Sequence, residues 1–590
     1  MKLKSFIVFS ALFCVSTNAF ADSKNEFVFY NGNVFTANSK NEIQSAIIVK
    51  NGKIEFVGDD KKALKIASKN AKKVNLNGNT LMPGIIDGHM HPQSGGLKLS
   101  MCSLEYAPLD MAQMNAKIQK CLDEDKNAHE DDWLVIINWF EQEMKPFGFV
   151  PTYKDLEVLK TQRPIYIKNS FGHAALLNKA GMDKVDLVHQ KERIGGVIVR
   201  DKSGNPTGRL EEAAKDIVIE VLPQPSEAKN LEAARKAQNL ILSQGVTTIL
   251  DAYTDLETMG AYKTLRQNGE LKLRPHFAVL IDPDKEPDDN KSIAEVVRQR
   301  KMFDEGAPKI APSLSVHTVK MFLDGTIALP SLSGAMLEPY FENKGTDEKP
   351  NWVQGDNYGI KPYISREKLG ELMVRLSDLG IDSHLHADAD GAVKVALDAT
   401  EILKKQRPND KTRTAIAHAE LVDPSDYKRF GRLGALPVLS FQWGKPAADT
   451  WEGSKDILGP KRFSVFEPQS LLHDNGAKVV FGSDWPVDAF NQWLALEVAV
   501  TRMAHGEERK KYPFKLNDAK PLKLNDALKA MTINGAYSLH VENYVGSLEK
   551  GKFADLIVLD RNLFKTKPET IAETKVKMTM VGGKIVYKAK

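Results

Sequence analysis

The sequence predicts an α/β protein: a (β/α)8 TIM-like barrel, a small β-sandwich built from both termini, and an inserted α+β subdomain. Three observations predict it. Apolar strand-like stretches alternate with helical ones through the middle of the chain, both ends are strand-rich, and a segment of roughly 150 residues separates the first two barrel strands. Alternation of this kind favours a parallel sheet with helices outside it. No GxGxxG stands at a strand-to-helix turn and no phosphate loop occurs, which weighs against an open nucleotide-binding sheet.

In chain order, residues 1–21 read as a signal peptide. Lys2 and Lys4 make a basic start, residues 6–15 an apolar core too short to span a bilayer, and Asn18-Ala19-Phe20-Ala21 a cleavage site before Asp22. The expected location is periplasmic or secreted. Residues 22–80 and 540–590 share a texture of short strands and tight turns, with Asn51-Gly52 and Gly582-Gly583 as turn pairs, and are read as one composite sandwich. Residues 81–539 hold the barrel. Its strands are expected at 84–87, 246–251, 276–281, 316–323, 381–386, 415–418, 436–441 and 478–481, with amphipathic helices such as 231–242 and 369–379 between some of them. The insertion, about 95–240, has strands of its own at 133–137 and 164–168. A subdomain over the barrel mouth would shape the pocket and restrict water.

Composition excludes some classes of function. With 27% charged residues and a net charge of +4 over 590 residues, the lysine pairs are short and scattered. A nucleic-acid binder needs a concentrated basic face, so none is expected. No later stretch is long and apolar enough for stable membrane insertion, and the partner expected is a small-molecule substrate. A homodimer stays open, because no surface stripe argues for or against it. Only Cys102 and Cys121 remain after cleavage. They are too few for a disulfide scaffold, though one bridge is allowed in an oxidising compartment.

The chemistry gathers at strand ends. In Pro83-Gly-Ile-Ile-Asp-Gly-His89-Met-His91, residues i and i+2 of a strand face one way, so His89 and His91 project together and suit one divalent cation. His384 and His386 end strand five, His418 ends strand six, and Asp484 follows strand eight. Groups from different strands converge at the carboxyl end of a barrel. Lys320 sits in Val319-Lys-Met-Phe-Leu323, a stretch otherwise made for burial. A buried ammonium requires a carboxylate partner or a chemical change such as carboxylation, and sequence physics leaves both open.

These motifs resemble the amidohydrolase superfamily, and within it the YtcJ-like group. The resemblance is carried by PGxxDxHxH, GVTTxxD at 245–251, VKxFxDG at 319–325, HxxxDxA at 386–392, HAE at 418–420 and GSDWPV at 482–487. It implies one or two divalent ions held by His89, His91, His386, His418 and Asp484, with an N6-carboxylated Lys320 bridging them. Imidazole and carboxylate ligands suit zinc, and suit manganese or iron as well. His386 matches the motif better than His384, because Asp390 and Ala392 follow it at the family's spacing. The family's His-Ala-x-Gly-Asp becomes His386-Ala-Asp-Ala-Asp390 here, and its Gln-Pro after strand seven becomes Gln442-Trp443.

The implied activity is hydrolysis of a C–N amide bond, of N-acyl amine or N-acyl amino acid type. Asp484 would act as ligand and proton shuttle, and His173, in a GHAAxxN segment, as donor to an oxyanion. Hydrolysis of a cyclic amide or lactone, deamination, and a non-enzymatic binding role are the alternatives. Glu212, Arg209, His317, Asp324, Trp443 and Trp485 are weaker candidates for substrate contact.

Overall fold

The computed structural model describes residues 26–589, apart from 127, 147, 171, 194, 195, 284, 330, 347 and 348. The segment read as a signal peptide therefore lies outside the described residues. Eight parallel strands follow one another in sequence order around a near-closed sheet: Ile85–Met90, Val246–Thr254, Arg274–Leu280, Ser315–Phe322, Asp382–Ala387, Thr414–His418, Leu436–Leu439 and Val480–Phe481. Each falls on a stretch expected from sequence. The first and last strands meet at glycines. A Cβ on Gly88 would lie 2.8 Å from Val480 Cγ1, and one on Gly482 would lie 2.6 Å from His89 Cβ. Only glycine allows the two backbones to approach so closely.

Capped helices cover the barrel. Ser226 accepts from Lys229 N at the start of Glu227–Ser243, and Ser365 accepts from Lys368 N at the start of Arg366–Asp378. Such caps satisfy donors that a helix start leaves free. The apolar faces of these helices, with Ile241, Leu372 and Leu376, join strand residues such as Ile249, Phe277, Val319 and Leu385 in the main core.

Between the first strand and helix Glu227–Ser243 stands a separate six-stranded mixed sheet. Its order is Gly196–Arg200, Pro206–Glu212, Ala174–Leu177, Ile165–Asn169, Leu134–Trp139 and Cys102–Ser103. Helix Glu227–Ser243 packs on the barrel, which returns the chain to it at residue 227 rather than near 240. A disulfide joins Cys102 to Cys121. The insertion docks on the loop after the last barrel strand, where Lys98 Nζ and Tyr106 OH donate to the Pro486 carbonyl at 3.1 and 3.0 Å.

Two more sheets draw on both ends of the chain. A four-stranded sheet runs Lys53–Gly58, Ala46–Lys50, Glu26–Tyr30, Lys72–Asn75. A six-stranded sheet runs Lys584–Lys588, Val576–Val581, Leu556–Leu559, Thr80–Pro83, Asn33–Phe35, Ile43–Gln44. Their facing side chains, including Phe29, Ile47, Val49, Leu81, Leu556 and Met580, form one apolar cluster. Arg274, at the start of the third barrel strand, ties the barrel to this layer through a two-pronged ion pair with Asp555, at 2.6 and 3.0 Å.

Candidate metal centre

At the carboxyl ends of the barrel strands, buried histidines meet buried carboxylates, Asp484 foremost. His89 and His91 each bring Nε2 close to Asp484 Oδ1, at 3.3 and 3.2 Å, and His418 Nδ1 lies 3.9 Å from Asp484 Oδ2. The rings are in contact: His89 is 4.8 Å from His418 and His418 is 4.5 Å from His386, centroid to centroid. Two groups of converging ligand atoms result, His89–His91–Asp484 and His386–Asp388–His418.

Local backbone aims these groups. Asp484 N donates to the His89 carbonyl at 2.8 Å and His91 N to the Trp485 carbonyl at 2.7 Å, stitching the last loop to the first strand. Asp87 reinforces this by accepting from Ser483 N and from Gln492 Nε2, both at 2.9 Å. His418 and Asp484 have left-handed backbones, φ 74° and 54°. Non-glycine residues adopt that region at a cost that surrounding structure must offset, a feature common at functional sites.

Burial favours the neutral form of the His89, His386 and His418 imidazoles. Burial holds His89 and His418 well below the usual histidine range and brings His386 to about 3, with Lys320 adding to the effect. Neutral rings keep the lone pair that ligation needs. Burial alone would raise the Asp484 carboxyl, but the adjacent His91 and His418 rings and the Lys320 ammonium outweigh it and hold Asp484 low. His89 Nε2, Asp484 Oδ1 and Asp388 Oδ1 are buried without a hydrogen-bond partner. Orphaned buried polar atoms converging from the first strand and the loops after the fifth and eighth fit a divalent cation, which would satisfy them.

Lys320 stands beside this cluster, 1% exposed, in register with His384 on the neighbouring strand. Its Nζ lies 4.7 Å from the centre of the Phe322 ring. Burial lowers the amine from 10.5 to about 8, with Asp484 and Asp388 opposing the shift.

The remaining candidates separate clearly. His173 and Asp388 line a cavity of about 80 Å³ above the centre, together with His386, His418, Glu420, Trp443, Asp449 and Asp484. Glu212 faces His173, whose Nδ1 lies 2.9 Å from Oε2, and also accepts from Ser331 Oγ at 3.0 Å. These contacts outweigh burial and bring Glu212 to about 2. Its place is thus behind His173, holding the ring. Asp324 accepts from the backbone N–H of Ala335, Asp388 and Ala389 and shapes the loop after strand five; burial still raises it to about 7. Trp443 stacks on His418 at 5.6 Å, and Trp485 is buried against Phe490 beside an adjoining cavity of about 250 Å³.

Two weaker candidates lie elsewhere. Arg209 pairs with Glu141 and Glu211 inside the inserted sheet. His317 pairs with Asp304 at 3.1 Å and lines a larger cavity, about 930 Å³, at the opposite end of the barrel. That cavity holds none of the converging ligand atoms. Sequence reasoning passed over Asp388, Glu420 and Asp449 as site residues. Asp388 and Glu420 were findable, since each stands two residues beyond a strand-end histidine. Asp449 comes from a loop whose path only the fold reveals.

Known proteins place this architecture. Protein LONG AFTER FAR-RED 3 of Arabidopsis thaliana is 28% identical over 94% of this chain and 91% of its own length. Putative amidohydrolase YtcJ of Bacillus subtilis is 25% identical over 95% and 99%. N-substituted formamide deformylase of Arthrobacter pascens is 24% identical over 95% and 98%. The fold is shared with an uncharacterized metal-dependent hydrolase from Pyrococcus horikoshii, with a TM-score of 0.69 and 22% identity over 92% of this chain and 99% of that one. The sequence profile of the Amidohydrolase family matches residues 72–587, and with the paired ligand clusters it makes the chain a member of the amidohydrolase family, a metal-dependent hydrolase related to YtcJ.

Proposed function

We propose that this hydrolase cleaves the C–N bond of a linear amide, an N-acyl amine or N-acyl amino acid, giving a carboxylic acid and an amine. The observation that carries the reading is the convergence of His89, His91 and Asp484 with His386, Asp388 and His418 beneath a cavity edged by His173. The family relation and the printed activity of the formamide deformylase support amide chemistry. A divalent cation, zinc in this proposal, supplies Lewis-acid polarisation of the carbonyl and a lowered pKa for water when bound.

The chain's own groups do the rest. Asp484, held ionised, accepts the proton of the attacking water at a carboxylate oxygen and returns it to the leaving nitrogen. With Nδ1 engaged by Glu212, His173 offers Nε2 as donor to the carbonyl oxygen as negative charge develops there. Lys320, near 8, keeps a fraction of free amine at neutral pH. That amine can form a carbamate with carbon dioxide and release a proton, which supports the bridging role proposed for it. Export to an oxidising compartment is proposed on the basic and apolar start of the chain and is supported by the Cys102–Cys121 bond.

The test is amine release from a panel of N-acyl amines, formamides and N-acyl amino acids, beside lactones, cyclic amides and aminated heterocycles. Linear amides should turn over, and Asp484→Asn should lower kcat/KM by about 10²–10⁴-fold in a folded protein. Turnover confined to lactones, or ammonia release from heterocycles, would replace the amide reading.

A further inference from the structure

His384 touches the centre from below. Strands one and five face each other across the barrel, and side chains from odd-numbered strands share layers in such a core. His89 from strand one and His384 from strand five meet there, Nδ1 to Nε2, at 2.7 Å. Both side chains are nearly inaccessible, at 2% and 1% exposure. His384 belongs to neither group of converging ligand atoms found among the described residues, so its contact with His89 is its connection to the centre.

The contact has two protonation patterns with opposite consequences. A neutral imidazole carries one N–H and one lone pair. If His384 Nε2 donates, His89 has its proton on Nε2 and no lone pair facing Asp484. If His384 Nε2 accepts, the proton sits on His89 Nδ1, and the lone pair on Nε2 points to the site shared with His91 and Asp484. We propose that His384 is a positioning residue that accepts the Nδ1–H of His89 and so fixes the tautomer and ring orientation with which His89 binds the first divalent cation. Hydrogen bonding to the far nitrogen of a ligating histidine is a recognised means of orienting it and raising its basicity. The inference rests on the metal reading of His89, His91 and Asp484 above.

Full-length His384→Leu and His384→Gln test it, the first removing the acceptor and the second supplying an amide oxygen. Zinc affinity is read by chelator competition and ligand geometry by the visible absorption of the cobalt-loaded protein, with thermal melting to establish folding. Leu should weaken the tighter site about 10–100-fold and alter the cobalt bands, and Gln should restore most of both. Wild-type affinity and spectrum in folded His384→Leu overturn the proposal. So does a folded Gln variant whose tighter site is weakened about 10–100-fold from wild type, an outcome that decides the question even if Leu does not fold. A wild-type chain that binds no metal at all would instead overturn the metal reading itself, and these readouts need no substrate.

Discussion

Lys320 is the residue where burial and charge conflict most openly. Lowered from 10.5 to about 8 and completely enclosed, it disfavours the metal-free fold by about 3 kcal/mol while protonated in both states. Below pH 8 that penalty is fully present. Between about 8 and 10.5 the folded protein has released the proton and the unfolded chain still binds it, so stability rises with pH across that window. Lys320→Met should therefore stabilise the metal-free protein at pH 7, and the wild-type advantage gained on going to pH 10.5 should be absent from the variant. Denaturant melts of both proteins at the two pH values check this, and a Met variant less stable at pH 7 would contradict it. Sequence alone exposed the conflict, because a lysine stood in an apolar strand. It could not show that Asp484 and Asp388 are close enough to oppose the shift yet do not cancel it.

Among the elements, the barrel strands were legible because each is a short apolar run, several of them ending in a histidine or aspartate, and the parallel sheet then fixes where those groups meet. The insertion was legible only as a length of chain with its own strands. His173 and Glu212 are 39 residues apart and pair because two antiparallel strands return the chain, with Ala174 opposite Glu211. Nothing in local sequence encodes that. Arg209 points away for the same reason, into its own sheet. The disulfide at a separation of 19 residues closes one flank of the insertion, linking its edge strand to helix Met111–Glu124. Cys102→Ser with Cys121→Ser should lower its stability by about 3 kcal/mol and leave the metal content unchanged, since the centre is built on the barrel. Melting together with metal analysis of that variant checks the division. A fall in bound metal matching the loss of stability would mean the insertion helps build the centre.

For the whole molecule, function follows from which end of the barrel carries which groups. One end gathers the histidines and Asp484 under the inserted sheet; the other is tied by Arg274 and Asp555 to the terminal sheets and carries the larger cavity. Size of cavity therefore says less here than convergence of unsatisfied ligand atoms. No helix among the described residues is long and apolar enough to cross a membrane. We propose that the strand ends form a two-cation hydrolytic centre, and metal per chain, measured by mass spectrometry on protein purified without chelator or added metal, tests it. Two equivalents of divalent metal are expected, with one lost in Lys320→Met. A single equivalent unaffected by Lys320→Met would contradict the bridged centre, and a chain that stays metal-free after reconstitution would contradict the enzyme mechanism altogether.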